Sequence, residues 1–249
     1  TLFRSNGTAT LSAAERNGGI LLALRMACVT PVAPSQATGF VMGTPTSTAL
    51  PATFSGSAEG YLVVRSLVNV LPAQPANGTI YNAGNIGSLG SGLTFVQSSN
   101  STTITGTGLA GNTRYYYFIF AYSGSSCPGG PAYSTASPLS GTGITCPAVP
   151  NSVTVNGLSH NGFTLDWTYP TGGTASGITY TLQITTNASY VGGNIPGSPF
   201  TIADPTITKV VTGLNPNTQY YYRILASNGC SSAYVSSSTT TLLTPCVAP

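Results

Sequence analysis

Charge is nearly missing from this chain of 249 residues. Only 4% are Asp, Glu, Lys or Arg, and there is one histidine and one tryptophan. Acid–base and nucleophilic catalysis need titratable groups that converge. The four acids, Glu15, Glu59, Asp166 and Asp204, lie on separate segments. Only Asp166 and His160 are near in sequence, and they are expected on a solvent-facing strand position and in the preceding turn. No nucleophile elbow accompanies them and no paired carboxylates are visible, so no catalytic residue is assigned. Clustered Cys or His ligands are also missing: there is no CxxC, and no metal site is assigned. The glycine-rich run from Gly84 to Gly92 lacks the Lys-Ser/Thr ending of a phosphate loop. Cofactors are therefore not expected.

Long apolar runs are missing as well. The strongest, Ile20 to Met26, is interrupted by Arg25 and falls short of the roughly 18–20 residues that span a bilayer. With Glu15 just before it and no clear cleavage signal after it, it does not read as a leader peptide. The net charge of +3 is carried largely by Arg4, Arg16 and Arg25. From residue 28 onward four cations face three acids, which leaves no footprint for nucleic acid or an anionic membrane. Residues 1–5, Thr-Leu-Phe-Arg-Ser, match the in-frame translation of a common sequencing-adapter end, as in a metagenomic fragment, and are read as artefactual.

What the chain has in abundance is Ser, Thr, Gly and Asn with β-branched and aromatic residues, a profile that favours sheet. It also repeats itself. Gly108-Leu109-Ala110-Gly111-Asn112-Thr113-Arg114-Tyr115-Tyr116-Tyr117 returns as Gly213-Leu214-Asn215-Pro216-Asn217-Thr218-Gln219-Tyr220-Tyr221-Tyr222. Each is followed by apolar alternation, a glycine turn and a cysteine, which divides the chain into two modules of about 100–120 residues. Cys28, Cys146 and Cys246 each stand in a proline-bearing linker, marking modules at 28–145 and 146–245 and the start of a further repeat at 246–249. Residues 1–27 are read as the end of a truncated preceding module.

Alternation and turn signals predict seven strands per module. In the second they fall near 151–158, 162–169, 178–187, 195–202, 206–212, 218–227 and 232–241. In the first they fall near 37–43, 48–55, 60–66, 78–82, 101–106, 113–122 and 132–141, with a glycine-rich insertion at about 67–100. Phe163, Leu165, Trp167 and Tyr169 share one buried face, and Phe54 is expected in the layer that Trp167 fills.

The Leu-x-Pro-x-Thr-x-Tyr turn at Leu214, Pro216 and Tyr220, with a Trp in the second strand, resembles the fibronectin type III domain. The turn at Leu109 to Tyr115 is similar, with Gly111 in the proline position. The resemblance implies an all-β fold of two tandem immunoglobulin-like sandwiches with a short N-terminal segment. It also implies a tyrosine corner at Tyr115 and Tyr220, each hydroxyl bonded to backbone just upstream. In such a sandwich the chain enters at the pole that carries the turn between the last two strands. This implies disulfides Cys28–Cys127 and Cys146–Cys230, with Cys246 unpaired. The alternatives Cys127–Cys146 and Cys230–Cys246 would have to bridge the length of a strand, beyond the roughly 4.4–6.8 Å that a disulfide allows between Cα atoms. The stretch Cys127-Pro128-Gly129-Gly130-Pro131-Ala132-Tyr133 further resembles repeats of large secreted or surface proteins of Bacteroidota, exported by the type IX system.

With Tyr115, Tyr117 and Ile119 toward the core, Tyr116, Phe118, Phe120 and Tyr122 point to the opposite face, unusually apolar for a solvent side. Either they form a flat platform for a glycan, a protein or a neighbouring filament, or the 67–100 insertion folds over and buries them, which is the preferred reading. Tyr221, Arg223 and Leu225 form a weaker patch in the second module. The role implied is a non-catalytic structural or adhesive module, a stalk or adhesin repeat, of an extracellular or cell-surface multidomain protein. Its partners would be neighbouring repeats and a surface glycan or protein, without nucleic acid or membrane insertion. Two rivals stand beside it. One is an accessory spacer of a secreted hydrolase that touches polysaccharide through Tyr116 and Phe118; the other is a filament subunit that exchanges its N-terminal strand.

Overall fold

The computed structural model describes residues 28, 30–71, 73–170 and 177–246. The readings made for residues 1–27 and for 247–249 lie outside the described residues. Fifteen strands are named: β1 Thr38–Met42, β2 Ala52–Ser55, β3 Gly60–Ser66, β4 Leu93–Ser99, β5 Thr103–Ile104, β6 Arg114–Ser123, β7 Ala132–Tyr133, β8 Leu139–Ile144, β9 Asn151–Asn156, β10 Gly162–Thr168, β11 Thr179–Thr185, β12 Phe200–Ala203, β13 Thr208–Thr212, β14 Gln219–Ser227 and β15 Val235–Thr240. The only named helical element is a single 3-10 turn, Ile86–Leu89. Among the described residues no helix is long and apolar enough to cross a membrane.

The strands form two tandem β-sandwiches. The second pairs a three-stranded sheet, β13-β10-β9, with a four-stranded sheet, β12-β11-β14-β15. The first repeats this order as β1-β2-β5 against β4-β3-β6-β7, with β8 also on β6. In the second sandwich Phe163, Leu165 and Trp167 of β10 meet Tyr180, Leu182 and Ile184 of β11 and Tyr220, Tyr222 and Ile224 of β14. Period-two alternation puts these on the inner faces, and each large apolar side chain buried there contributes roughly 1.5–3 kcal/mol. Trp167 meets Tyr180 edge to face, ring centroids 5.4 Å apart. Phe54 meets Tyr61 the same way at 4.9 Å. Tyr61 lies opposite Ala121, and Tyr180 opposite Ala226, so the two pairs occupy one layer of the repeat.

The seven strands expected in the second module are all present; the fourth begins at Phe200 rather than near 195. The first module departs in three places. Residues 78–82 form no strand; the strand beside β3 is β4, inside the stretch taken as insertion, which therefore ends near Gly92. Tyr81 is instead a buried anchor whose hydroxyl accepts a hydrogen bond from the Ala76 N–H, 3.0 Å. The second strand is confined to Ala52–Ser55, although Leu50 is fully buried just before it. The last strand divides into β7 and β8 across Ser134 to Pro138.

Candidate binding surfaces

Both tyrosine corners have the same geometry. Tyr115 Oη accepts a hydrogen bond from the Ala110 N–H at 2.9 Å, and Tyr220 Oη from the Asn215 N–H at 3.0 Å. Leu109 and Leu214 are buried beside them, whereas Pro216 is exposed. Asn112 and Asn217 take the left-handed conformation, φ 47° and 48°, which asparagine tolerates better than most residues. The rings thus pack in the core while each hydroxyl satisfies a turn amide that the strands leave unpaired.

Cys28 is bonded to Cys127 and Cys146 to Cys230, with Cα atoms 5.4 Å and 5.3 Å apart. Cys246 is free and exposed. Near the first bridge, Glu59 accepts hydrogen bonds from the Gly124 N–H at 2.5 Å, the Ser125 N–H at 3.1 Å and the Ser125 hydroxyl. The Ser125 hydroxyl bond is the main cause that holds the Glu59 carboxyl below its ordinary pKa.

Asp166 accepts from Asn156 Nδ2 at 2.6 Å. Bonds from Thr208 first and Asn156 second lower its pKa, as expected of a carboxylate used to tie neighbouring strands. No three of His, Cys, Asp and Glu come together to hold a metal among the described residues. Asn77 and Asn187, each the first residue of an Asn-x-Ser/Thr triplet, are both engaged: the Asn77 amide oxygen accepts from the Tyr133 N–H, and the Asn187 amide spans its own turn to the Val191 carbonyl.

The aromatic platform on β6 is not exposed. Phe118, Phe120 and Tyr122 are 7%, 0% and 9% accessible, and Tyr116 is half-buried at the rim. The segment after β3 lays Leu71, Tyr81, Ile86 and Leu89 over them and continues into Leu93 and Phe95 of β4. It is fastened by the Gly78 N–H to the Pro131 carbonyl and by the Tyr133 hydroxyl, which donates to the Thr79 carbonyl at 3.0 Å. Burial raises the Tyr133 pKa well above that of a free tyrosine. The patch is therefore a second core, and the covering segment is its lid in sequence and in space.

The same face of the second sandwich carries a different arrangement. Arg223 on β14 takes the register position of Phe118 on β6, and Gln183 opposite it takes that of Val64. The Arg223 guanidinium carbon lies 4.6 Å from the ring centre of Tyr190 and 4.2 Å from that of Tyr234. Its Nε donates to Gln183 Oε1 at 2.8 Å. The buried Gln183 spends its own amide on the Tyr190 carbonyl, 3.1 Å, and on Asn194 Oδ1, 2.8 Å. Since arginine has no acceptor, the Gln183 orientation follows from this pairing. Tyr190 comes from the loop between β11 and β12 with φ 60°, and its hydroxyl donates to the Tyr222 carbonyl at 3.2 Å. Arg223 was visible in the sequence only as part of a weak patch. Tyr190, Gln183 and Tyr234 were missed, because a loop residue folded back over a sheet carries no periodic signal.

Residues 148–241 match the family model of the fibronectin type III domain. The fibronectin type III match covers the whole second sandwich from before β9 to the end of β15. Among solved structures, a two-domain fibronectin type III segment of chicken tenascin is similar at 17% identity, covering 83% of this chain and 100% of that one with a TM-score of 0.48. A computationally redesigned β-sandwich protein is similar at 25% identity, covering 38% of this chain and 94% of that one with a TM-score of 0.31. No curated protein matches the chain.

Proposed function

We propose that this chain is a non-catalytic structural and adhesive portion of an extracellular or cell-surface multidomain protein, with modules at 28–145 and 146–245 acting as stalk or adhesin repeats. The observation that carries this reading is the duplicated clamp. In each copy a disulfide joins the segment that enters the module to the turn between its last two strands, and a tyrosine corner closes the opposite pole. Disulfides between cysteines 99 and 84 positions apart in sequence belong to an oxidising compartment and constrain the unfolded chain, an effect typically of about 2–4 kcal/mol each. The scarcity of charge and of convergent titratable groups fits presentation rather than turnover. A hydrolase accessory role through Tyr116 and Phe118 is disfavoured, since the covering segment occupies that face. Export by the type IX system of a Bacteroidota cell remains part of the proposal, resting on the Cys127 to Tyr133 stretch.

The test is peptide mapping without reductant on chain secreted to an oxidising compartment, alongside protease resistance with and without dithiothreitol. Cys28–Cys127 and Cys146–Cys230 peptides, with resistance lost on reduction, are the expected result. Free thiols at Cys28, Cys127, Cys146 or Cys230 after secretion, or resistance indifferent to reductant, would overturn the clamped-stalk reading; a free Cys246 is expected.

A further inference from the structure

We propose that Arg223 is the centre of a carboxylate-binding site that takes an acidic polysaccharide, one built from uronic acid units. The inference names a ligand for the adhesive role and rests on that reading for its biological sense, but the site stands on its own geometry. Three features point the same way.

The first is preorganisation. An arginine on an exposed strand ordinarily samples many rotamers; Arg223 is stacked between two tyrosine rings and anchored at Nε by a buried glutamine. Tyr190 is held in the left-handed region, costly for a bulky residue. Its N–H to the Asn187 carbonyl, its carbonyl from Gln183 and its hydroxyl to Tyr222 together over-determine that conformation. The fold thus spends strain on placing one aromatic ring against one guanidinium.

The second is unused valence. Among the described residues the Nε of Arg223 has an acceptor, whereas its two terminal amino groups have none and it forms no ion pair. That edge is the planar fork that matches a carboxylate bidentately, with stronger, charge-assisted bonds. The three acids of the described residues lie elsewhere: Glu59 is committed to its turn, Asp166 to neighbouring strands, and Asp204 sits beside Tyr169.

The third is the character of the surrounding face. Thr181 on β11, Thr201 on β12, and Ser236 and Ser238 on β15 share the outward side with Arg223, as their register shows, and all four reach solvent. Tyr234 is 42% exposed. A flat, hydroxyl-rich sheet with exposed aromatic surface suits the hydroxyls and ring faces of a sugar chain. It offers no deep apolar pocket for the side-chain anchor that dominates protein partners.

Affinity electrophoresis of the full chain through gels containing polygalacturonate tests this, with folding of each variant checked by Trp167 fluorescence. Retardation by polygalacturonate, lost when the carboxylates are methyl-esterified, is expected. Arg223→Gln should weaken it about tenfold or more, as loss of a bidentate charged pair implies. Arg223→Lys should weaken it nearly as much, because the point charge remains but the fork does not. Tyr234→Ala should weaken it while leaving the fold intact. No retardation, equal retardation by the esterified polymer, full binding by Arg223→Lys, or equal binding of polyglutamate would each overturn the assignment. These failures are separable from failure of the clamped-stalk reading, which is read from thiols and proteolysis alone.

Discussion

One sheet face, built twice on the same register, is a core in the first sandwich and a solvent-facing surface in the second. On β6 that face holds Tyr116, Phe118, Phe120 and Tyr122 against Leu62 and Val64; on β14 it holds Tyr221, Arg223, Leu225 and Ser227 against Thr181 and Gln183. The difference follows the connection between the third and fourth strands. In the first copy, Leu71, Tyr81, Ile86 and Leu89 cross the face and bury it; in the second, the loop from Thr186 to Pro199 contributes one tyrosine and covers Gln183 and Thr185, leaving Tyr221, Arg223 and Leu225 partly exposed. Covering a face selects apolar side chains on it, and leaving it bare selects hydroxyls and a charge whose desolvation would otherwise be costly. A repeat can therefore diverge in surface role while its inner layers stay fixed, as the equivalent Phe54–Tyr61 and Trp167–Tyr180 pairs show.

The sharpest way to break this comparison is to remove matched side chains. Phe120→Ala should cost about 3–5 kcal/mol, as a fully buried aromatic does, whereas Leu225→Ala at the same register should cost roughly 1 kcal/mol because it is only half-buried. Urea denaturation followed by far-UV circular dichroism reads both copies, while Trp167 fluorescence reads the second. Phe120→Ala should move the first signal and spare the second; equal costs for the two changes would mean that the lid does not stabilise the face.

A second contrast lies at the far end of the face. A Cβ on Gly60 would sit 2.3 Å from the Tyr122 ring, which lies flat across the glycine, whereas the equivalent residue in the second copy is Thr179 beside Ser227. Gly60→Val should destabilise by about 1–3 kcal/mol through overpacking, and Thr179→Val should be close to neutral in the same denaturation measurement.

The corners should behave alike, which tests whether the inner layers are as equivalent as they look. Tyr115→Phe and Tyr220→Phe each remove the acceptor of one turn N–H and should cost about 1 kcal/mol apiece. A large disparity in urea midpoints would show that one corner is carried by other contacts.

The smallest effect is in the turns next to the disulfides. A carboxylate holds the first, through Glu59 to Gly124 and Ser125; an amide supports the second, where Asn228 Oδ1 accepts from the Cys230 N–H at 3.5 Å. The folded-state pKa of Glu59 is depressed, so its contribution is present above the ordinary glutamate value near ~4.3 and lost as pH falls through the lower folded value. Amide hydrogen exchange and chemical shifts of Gly124 and Ser125 should change in that acidic window, and those of Cys230 should not. Glu59→Gln should abolish the pH response.

Much of the fold was legible because alternation with period two survives wherever one face of a strand is buried. It faltered where that condition lapsed. The real fourth strand of the first copy, Leu93–Ser99, follows directly on Gly90 and Gly92 and reads as a continuation of glycine-rich loop, while Ile80 and Tyr81 imitate a strand, although Ile80 is exposed and only Tyr81 packs into the lid. The register shift between Val63 and Val64 further blurs the pairing that would have located β4. The Arg223 stack was legible only in its β14 member, since Tyr190 reaches it from 33 positions away through a backbone conformation that nothing local announces.

The exposed apolar stretch at Leu67, Val68 and Val70 is a natural place for a protease to cut. Because Cys28 and Cys127 bracket it, such a cut opens a loop without releasing a fragment: both pieces stay joined through the disulfide. A stalk made of such modules would transmit load past a nick through sulfur rather than through the severed peptide.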